Sequence, residues 1–318
     1  MNARRQRAIF VVSSGRTGTQ FLGEKMRRMI ADCHSIHEAD VFWITRPGEW
    51  LRKIRQFGWY RMTLGKLSPR YSLRALGLAR ITGRFDPGQA AEAIADIRAP
   101  YMAQVAKPVF LEANGQYILL LDLLSRAFPN SRVVYIVRDP RDWVRSWMNM
   151  ENPFYSARDL RSWLLGGRLK PKHFPDDPWR EGWRGMDQFE KLCWLWQKEN
   201  GLALELAAGR PEIRTFRFEA LFAGSDRDAT FRELLAFVTA FPDGYRAHWE
   251  FRPELLEQKV HSRSQGGFAA WPDWDRDTAL RLHRICGPLM ARLGYGAEPD
   301  WLALLGEPPT EGPTRAIS

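Results

Sequence analysis

Cysteine is scarce in this sequence, and its placement excludes two kinds of site. The 318 residues contain three cysteines, Cys33, Cys193 and Cys286, which lie far apart and form no CxxC pair. An odd number at such spacings encodes neither a disulfide framework nor a zinc site. The histidines after residue 170 show no HxH or HxxxH spacing, so they predict no metal site either.

Long hydrophobic runs are also missing. No stretch approaches the roughly 20 apolar residues that a membrane-spanning helix needs. The basic start MNARRQR is followed by AIFVVS, an apolar run too short for a signal peptide. We therefore expect a soluble, cytoplasmic protein. The 14 tryptophans among many arginines would also suit a face that rests on lipid headgroups, so peripheral contact with the inner face of a membrane stays open.

Acidic residues are outnumbered by basic ones. The net charge of +10, from 47 Lys and Arg against 37 Asp and Glu, favours an anionic partner such as a nucleotide, a nucleic acid, an acidic glycan or a membrane surface. The length and the 45% apolar composition fit either one large α/β domain or two small ones, and we start from a single domain at residues 1–300. The Pro, Gly and Thr content of residues 301–318 is typical of a disordered tail.

Short apolar runs alternate with segments of helical periodicity. A strand is predicted at each of Ala8–Ser13, Ser35–His37, Pro108–Ala113, Arg132–Val137 and Ile213–Phe218, and a helix at each of Gln116–Ala127, Asp187–Ala208 and Asp228–Phe241. This order predicts a three-layer α/β/α fold with a central parallel sheet. Two tracts break the alternation, a helical insertion at about residues 42–106 and residues 153–185, and such insertions usually form acceptor pockets or lids.

The first predicted strand leads into SSGRTGTQ, residues 13–20. Backbone N–H groups and a helix start converge after such a strand, which suits a phosphate. Two glycines let the backbone approach an anion, two threonines add hydroxyl donors, and Arg16 adds a charged fork. The loop lacks the Lys before Ser or Thr of GxxxxGK(S/T), which disfavours an ATP- or GTP-dependent kinase. The alternative is a tight turn without a ligand.

A second stretch, RDPRDWVRS, follows the predicted strand Arg132–Val137 and opens a helix. Asp139 is the predicted cap and Pro140 the first helical residue. Ser146 lies two helical turns beyond Asp139, so it returns to the face near Arg138 and both can contact one anion. The alternative is a capped surface helix whose arginines are solvated.

Together the two stretches resemble the PAPS-dependent sulfotransferases, where PAPS is 3′-phosphoadenosine 5′-phosphosulfate. In that family a loop SGR(S/T)GT binds the 5′-phosphosulfate, and RDPRDxxxS after an apolar run binds the 3′-phosphate. The resemblance implies a P-loop-NTPase-like sulfotransferase fold. It also implies binding roles for Ser14, Gly15, Arg16, Thr17, Gly18, Thr19, Gln20, Arg138 and Ser146.

Two later segments resemble the same family less closely. FRFEAL at 216–221 is similar to an acidic (Y/F)EDL element, and SRSQGG at 262–267 is similar to a segment that closes over the nucleotide. The second resemblance implies that Arg263 is another ligand of the 3′-phosphate.

Sulfuryl transfer needs a cation for the leaving phosphate and a base for the acceptor proton. Arg16 is the expected cation, since it acts as a fixed charge. Glu38, after the second strand, is the first candidate base, and it resembles a functional Glu of tyrosylprotein and some carbohydrate sulfotransferases. Glu112, in the third strand, is the second candidate, and His37 is the third.

The expected reaction uses PAPS, with no metal required, and an acceptor hydroxyl or amine of a glycan, a glycolipid or a small metabolite. Two other functions remain open. One is a nucleotide-dependent kinase on a related fold, and the other is a nucleic-acid-binding module that uses the basic surface. The module would leave unexplained why two anion sites follow parallel strands.

Overall fold

The computed structural model describes residues 3–40, 47–156, 159, 168–258 and 266–306. Contacts divide the chain into two compact units, the first with the bounds Met1–Val137 and Leu202–His261, the second with the bounds Arg138–Gly201 and Ser262–Ser318. No described helix is both long enough and apolar enough to pass through a bilayer.

A parallel sheet forms the centre of the first unit. Its strands, in chain order, are β1 (Arg7–Ser13), β2 (Cys33–His37), β3 (Val109–Ala113), β4 (Ser131–Val137) and β5 (Ile213–Arg217). They lie in the order β2-β3-β1-β4-β5, and every pairing is parallel. The carboxyl ends of all five strands therefore share one edge, and the five predicted strands are confirmed with bounds shifted by one or two residues.

The α-helices of the described residues, in chain order, are α1 (Thr19–Lys25), α2 (Pro47–Phe57), α3 (Trp59–Met62), α4 (Leu73–Ile81), α5 (Pro87–Met102), α6 (Leu124–Ala127), α7 (Pro140–Met148), α8 (Gln188–Ala207), α9 (Phe218–Phe222), α10 (Arg227–Thr239), α11 (Pro253–Leu256), α12 (Arg276–Arg292) and α13 (Pro299–Leu305). Short 3₁₀ turns lie at Ala3–Arg5, Met26–Arg28, Leu64–Leu67, Gly115–Tyr117, Leu121–Leu123, Pro171–His173, Gly182–Arg184 and Trp271–Asp273.

Strand β1 shows why the sheet needs helices on both faces. Its side chains alternate in direction, yet nearly all of them are buried. Ile9 and Val11 belong to an apolar cluster with side chains of α1 and α10. Phe10 points the other way, where its ring contacts Tyr117 and Phe128. This arrangement confirms the predicted three-layer α/β/α fold.

The predicted helix at Gln116–Ala127 is wrong. Two 3₁₀ turns and the one-turn helix α6 replace it. The carbonyl of Leu119 accepts a hydrogen bond from Arg80 Nη1 at 2.8 Å instead of continuing a helix, and the same guanidinium pairs with Asp122. Apolar side chains of this segment are buried on almost every side, so their spacing fits a helix but fits other buried conformations as well.

The described part of the insertion, residues 47–106, is helical. It contains α2 to α5, and α5 begins with a capping box in which Asp86 accepts from the N–H of Gln89 while the Gln89 side chain accepts from the N–H of Asp86. Pro87 occupies the first helical turn, where it costs no hydrogen bond.

Tryptophans fill much of the second unit. Trp143, Trp194 and Trp196 are fully buried. The first residues of the tail predicted at 301–318 are folded, because α13 continues to Leu305 and Trp301 is fully buried. Residues 307–318 lie outside the described residues.

Candidate functional site

The loop between β1 and α1 turns sharply around three residues in the left-handed region. Gly15 has φ of 83°, Arg16 has 59° and Gly18 has 73°. The N–H of Gly15 donates to Ser13 Oγ at 3.0 Å, which fixes the first turn. Arginine rarely adopts such a φ, and residues held this way concentrate at ligand-binding sites.

Two buried hydroxyls of this loop have no hydrogen-bond partner among the described residues. They are Ser14 Oγ and Thr17 Oγ1, and both side chains are shielded from solvent by the fold. A buried hydroxyl without a partner costs about 1–3 kcal/mol. A phosphate or sulfate oxygen in the loop would accept from both, so the loop fits an oxyanion.

Gly18 is favoured by its φ, and its Cα also lies close to an aromatic ring. A Cβ on this residue would come within 2.7 Å of the Phe222 ring. Phe222 ends α9, which directly follows β5 and contains most of the FRFEAL segment. This segment therefore lies beside the loop.

Glu38 directly follows β2 and has φ of 47°. Its N–H donates to the carbonyl of Ala113 at 3.0 Å, and its own carbonyl accepts from Lys53 Nζ at 3.3 Å. The residue is half-buried. The backbone on both sides of Glu38 is thus held at the carboxyl edge of the sheet in a conformation that a non-glycine residue adopts only under constraint.

Glu112 lies on β3 and is completely buried in an ion-pair network. Its Oε1 accepts from Arg98 Nη2 at 2.9 Å and from Asn114 Nδ2 at 3.0 Å, while Oε2 accepts from Arg98 Nε and from the Tyr117 hydroxyl, both at 2.8 Å. Burial, and the negative charge of Glu112, raise the pKa of Tyr117 despite the opposing charge of Arg98, so its hydroxyl stays protonated and donates. Both oxygens of Glu112 are occupied, which fits a structural role better than that of a base.

Asp40 extends this network toward Glu38. Its Oδ1 accepts from Arg98 Nη2 at 2.8 Å, and its Oδ2 accepts from Lys66 Nζ at 2.7 Å. Burial alone would raise the pKa of Asp40, but the charges of Arg98 and Lys66 outweigh it and hold the pKa well below its usual range. Asp40 is therefore a buried anion that fixes the chain two residues beyond Glu38.

His37, the third candidate base, lies beside α1. Its Nε2 is 3.5 Å from Thr19 Oγ1, and a Cβ on Gly23 would come within 2.7 Å of the His37 Cβ. Gln20 is exposed and donates to Glu24. The structure thus brings the loop, Glu38, His37 and Glu112 to one edge of the first unit.

Arg138 and Ser146 belong to the second unit. Arg138 directly follows β4, and its carbonyl accepts from Trp196 Nε1 at 2.9 Å. The Asp139 side chain accepts from the N–H of Arg141 at 2.8 Å, and Pro140 is the first residue of α7. Ser146 lies on this helix and is half-buried, so the predicted cap, proline and helix are confirmed. Arg263 lies outside the described residues.

Arg141, in the first turn of α7, is held by two ion pairs. Arg141 is 2% exposed, and its guanidinium binds both Asp139 and Glu298 through paired hydrogen bonds of 2.5–3.1 Å. Arg141 therefore anchors the helix within its unit.

Sequence reasoning missed Arg98 and Asp40, which belong to the ion-pair network around Glu112. A weak signal exists for Arg98, because α5 is rich in alanine and carries this arginine between Ile97 and Ala99. No pattern in the sequence shows that this side chain reaches Glu112.

The described residues contain no cluster of three His, Cys, Asp or Glu side chains arranged as metal ligands.

Residues 8–168 match the model of a family described as the sulfotransferase family. No curated protein sequence matches the chain. A solved structure titled "Sulfotransferase Domain from the Curacin Biosynthetic Pathway" is similar at 16% identity and a TM-score of 0.42, over 91% of this chain and 98% of that one. Residues 8–168, which match the family model, include the loop after β1, Glu38, Glu112, Arg138 and Ser146.

Proposed function

Because the chain belongs to the sulfotransferase family, we propose that it transfers a sulfuryl group from PAPS to a hydroxyl or amine of an acceptor. The observation that supports an anionic donor at this loop is the pair of buried, unpartnered hydroxyls on Ser14 and Thr17, and the choice of PAPS rests on the family. They supply donors to an oxyanion at a loop whose backbone is already bent for one. The acceptor is a glycan, a glycolipid or a small metabolite.

Ser14 to Gln20 would surround the 5′-phosphosulfate of PAPS. Arg138 and Ser146 would bind the 3′-phosphate, and Arg263 is a further candidate for that phosphate. Arg138 follows β4, the strand that pairs with β1, so the two proposed phosphate sites follow neighbouring strands. Ligands commonly bind at the carboxyl ends of such strands.

The proposed reaction breaks the bond between sulfur and the 5′-phosphate oxygen and forms a bond between sulfur and the acceptor atom. The bond electrons stay with the phosphate oxygen, and Arg16 with the loop N–H groups stabilises that negative charge. Glu38 accepts the proton of the acceptor. The products are a sulfated acceptor and adenosine 3′,5′-bisphosphate.

Adenosine 3′,5′-bisphosphate should raise the free energy of unfolding without a divalent metal. At a concentration of one hundred times Kd, the gain should be about 2.7 kcal/mol. Thermal unfolding measures it, with AMP, ATP plus magnesium, and an oligonucleotide in parallel. Equal stabilisation by AMP would remove the 3′-phosphate role from Arg138 and Ser146, while stronger stabilisation by ATP with magnesium would favour a kinase.

Arg138→Ala should weaken binding of adenosine 3′,5′-bisphosphate by roughly 1.5–3 kcal/mol, because it removes a charged hydrogen-bond donor. Titration calorimetry measures the change. Arg145→Ala is the matched control, since Arg145 is an exposed arginine of α7, the helix that begins two residues after Arg138. AMP affinity should change little in either variant. Equal losses for both variants would show that only the general positive charge of this part of the chain matters.

A further inference from the structure

Exposed apolar side chains are concentrated in one short stretch of the insertion. Six large hydrophobic residues are strongly exposed among the described residues, and all but Leu280 lie between residues 51 and 67. The five are Leu51, Trp59, Tyr60, Leu64 and Leu67. Trp59 is 58% exposed and Leu64 is 59% exposed, although a tryptophan or leucine gains most when buried. We call these five residues the 51–67 surface.

The fold holds the 51–67 surface outward. The N–H of Gly58 donates to Ile54 at the end of α2, and the N–H of Met62 donates to Gly58. Met62 itself is completely buried, so α3 is anchored from beneath. The Thr63 hydroxyl donates to the carbonyl of Trp59 at 2.8 Å and closes the turn. The exposed rings therefore belong to a fixed element.

This stretch is also strongly basic. Residues 51–70 contain six Arg and Lys and no Asp or Glu. Arg55 and Arg70 are exposed. Lys66 is committed to Asp40, and Arg61 donates to the carbonyl of Asp96. The exposed part of the stretch thus combines tryptophan, tyrosine and leucine with cations, which is the composition of an element that lies in a membrane interface.

We propose that the 51–67 surface docks on an anionic lipid bilayer. Trp59 and Tyr60 would sit at the level of the headgroups, where their amphipathic rings are favoured. Leu64 and Leu67 would enter the boundary with the acyl chains, while Arg55 would attract anionic headgroups. Charge complementarity favours a bilayer over a second copy of this chain, because a symmetric contact would bring identical cations together.

Co-sedimentation of the full chain with vesicles tests this proposal. We expect binding to vesicles of phosphatidylcholine with phosphatidylglycerol, much weaker binding to phosphatidylcholine alone, and a loss of binding at high salt. The double variant Trp59→Ser/Tyr60→Ser should bind at least about tenfold more weakly, because it removes two interfacial aromatic side chains. Leu280→Ser is the matched control, since Leu280 is exposed outside the stretch, and it should bind like the wild type.

The contribution of charge is tested separately. Arg55→Glu should weaken binding to the anionic vesicles by roughly fivefold or more, given about 1 kcal/mol for each basic residue near such a surface. Arg292→Glu is its control, because Arg292 is an exposed arginine of α12. All these residues are exposed, so unfolding curves should match that of the wild type.

Three results would overturn the proposal. The first is an absence of binding to the anionic vesicles. The second is equal weakening by the variants and their controls, which would show adsorption through overall charge. The third is a dimer in light scattering that Trp59→Ser/Tyr60→Ser abolishes, because the 51–67 surface would then be an interface between copies of this chain.

Discussion

Glu38→Gln should lower turnover on the order of 10²–10⁴-fold, because glutamine keeps the shape of the side chain but cannot accept the acceptor proton. The affinity for adenosine 3′,5′-bisphosphate should barely change, since the proposed donor site is formed by other residues. Initial rates of sulfate transfer from labelled PAPS measure the loss, once a screen of sulfated products has identified the acceptor.

The structure supplies a reason to test Glu38 before the other carboxylate. Glu38 is half-buried, and its backbone is held at φ of 47° by hydrogen bonds to Ala113 and Lys53. Both oxygens of Glu112 are occupied by donors in a site without solvent. A base needs a lone pair directed at the acceptor, and Glu112 has its lone pairs directed at Arg98, Asn114 and Tyr117.

Glu112→Gln is the matched comparison. It should cost much less turnover per folded molecule than Glu38→Gln and should lower the melting temperature, because it removes one of the two carboxylate charges that Arg98 pairs with. Rates normalised to the folded fraction separate these effects. An inactive, well-folded Glu112→Gln beside an active Glu38→Gln would transfer the base role to Glu112, and the family assignment would stand.

The sequence predicted the sheet well because its three central strands, β1, β3 and β4, are buried on both faces. Such strands appear as continuous apolar runs, as in RAIFVVS and SRVVYIV, and each run ends at a polar turn. The same reasoning failed at Gln116–Ala127. Most of these side chains are apolar and buried, so their spacing does not show that Arg80 binds the Leu119 carbonyl where the helix was expected to continue. Local spacing does not report a hydrogen bond from a residue 39 positions away.

The sequence predicted one part of the candidate site, the loop after β1, but not the environment of Glu112. The glycines and hydroxyls of the loop are consecutive in the chain, so their type and order indicate an anion site. The environment of Glu112 depends instead on Arg98, which lies 14 residues earlier on another element. Sequence therefore identified both carboxylates, whereas only the three-dimensional contacts separate a held, half-buried Glu38 from a buried and fully paired Glu112.

Arg98→Leu should lower the free energy of unfolding by about 3–5 kcal/mol. The substitution leaves Glu112 as a buried carboxylate without its cation, and it leaves Asp40 with Lys66 as its one remaining cationic partner among the described residues. Arg98, Asp40 and Glu112 are each no more than 4% exposed at the side chain. Arg4→Leu is the control. Its ion pairs with Glu92 and Asp96 are exposed, so its loss should cost less than about 1 kcal/mol. Urea unfolding at neutral pH measures both.

The dependence of this loss on pH distinguishes a charge effect from a packing effect. The depressed pKa of Asp40 stabilises the fold above the pKa of the unfolded carboxyl, about 3.9, and this stabilisation disappears as pH falls toward the folded value. Without Arg98 the pKa of Asp40 is depressed less. The variant therefore loses less stability than the wild type as the pH falls. The difference in unfolding free energy between the wild type and Arg98→Leu should therefore narrow below about pH 4. A difference that stays constant down to the acid transition would mean that Arg98 acts through packing, and that the ion pairs at this edge contribute nothing net to stability.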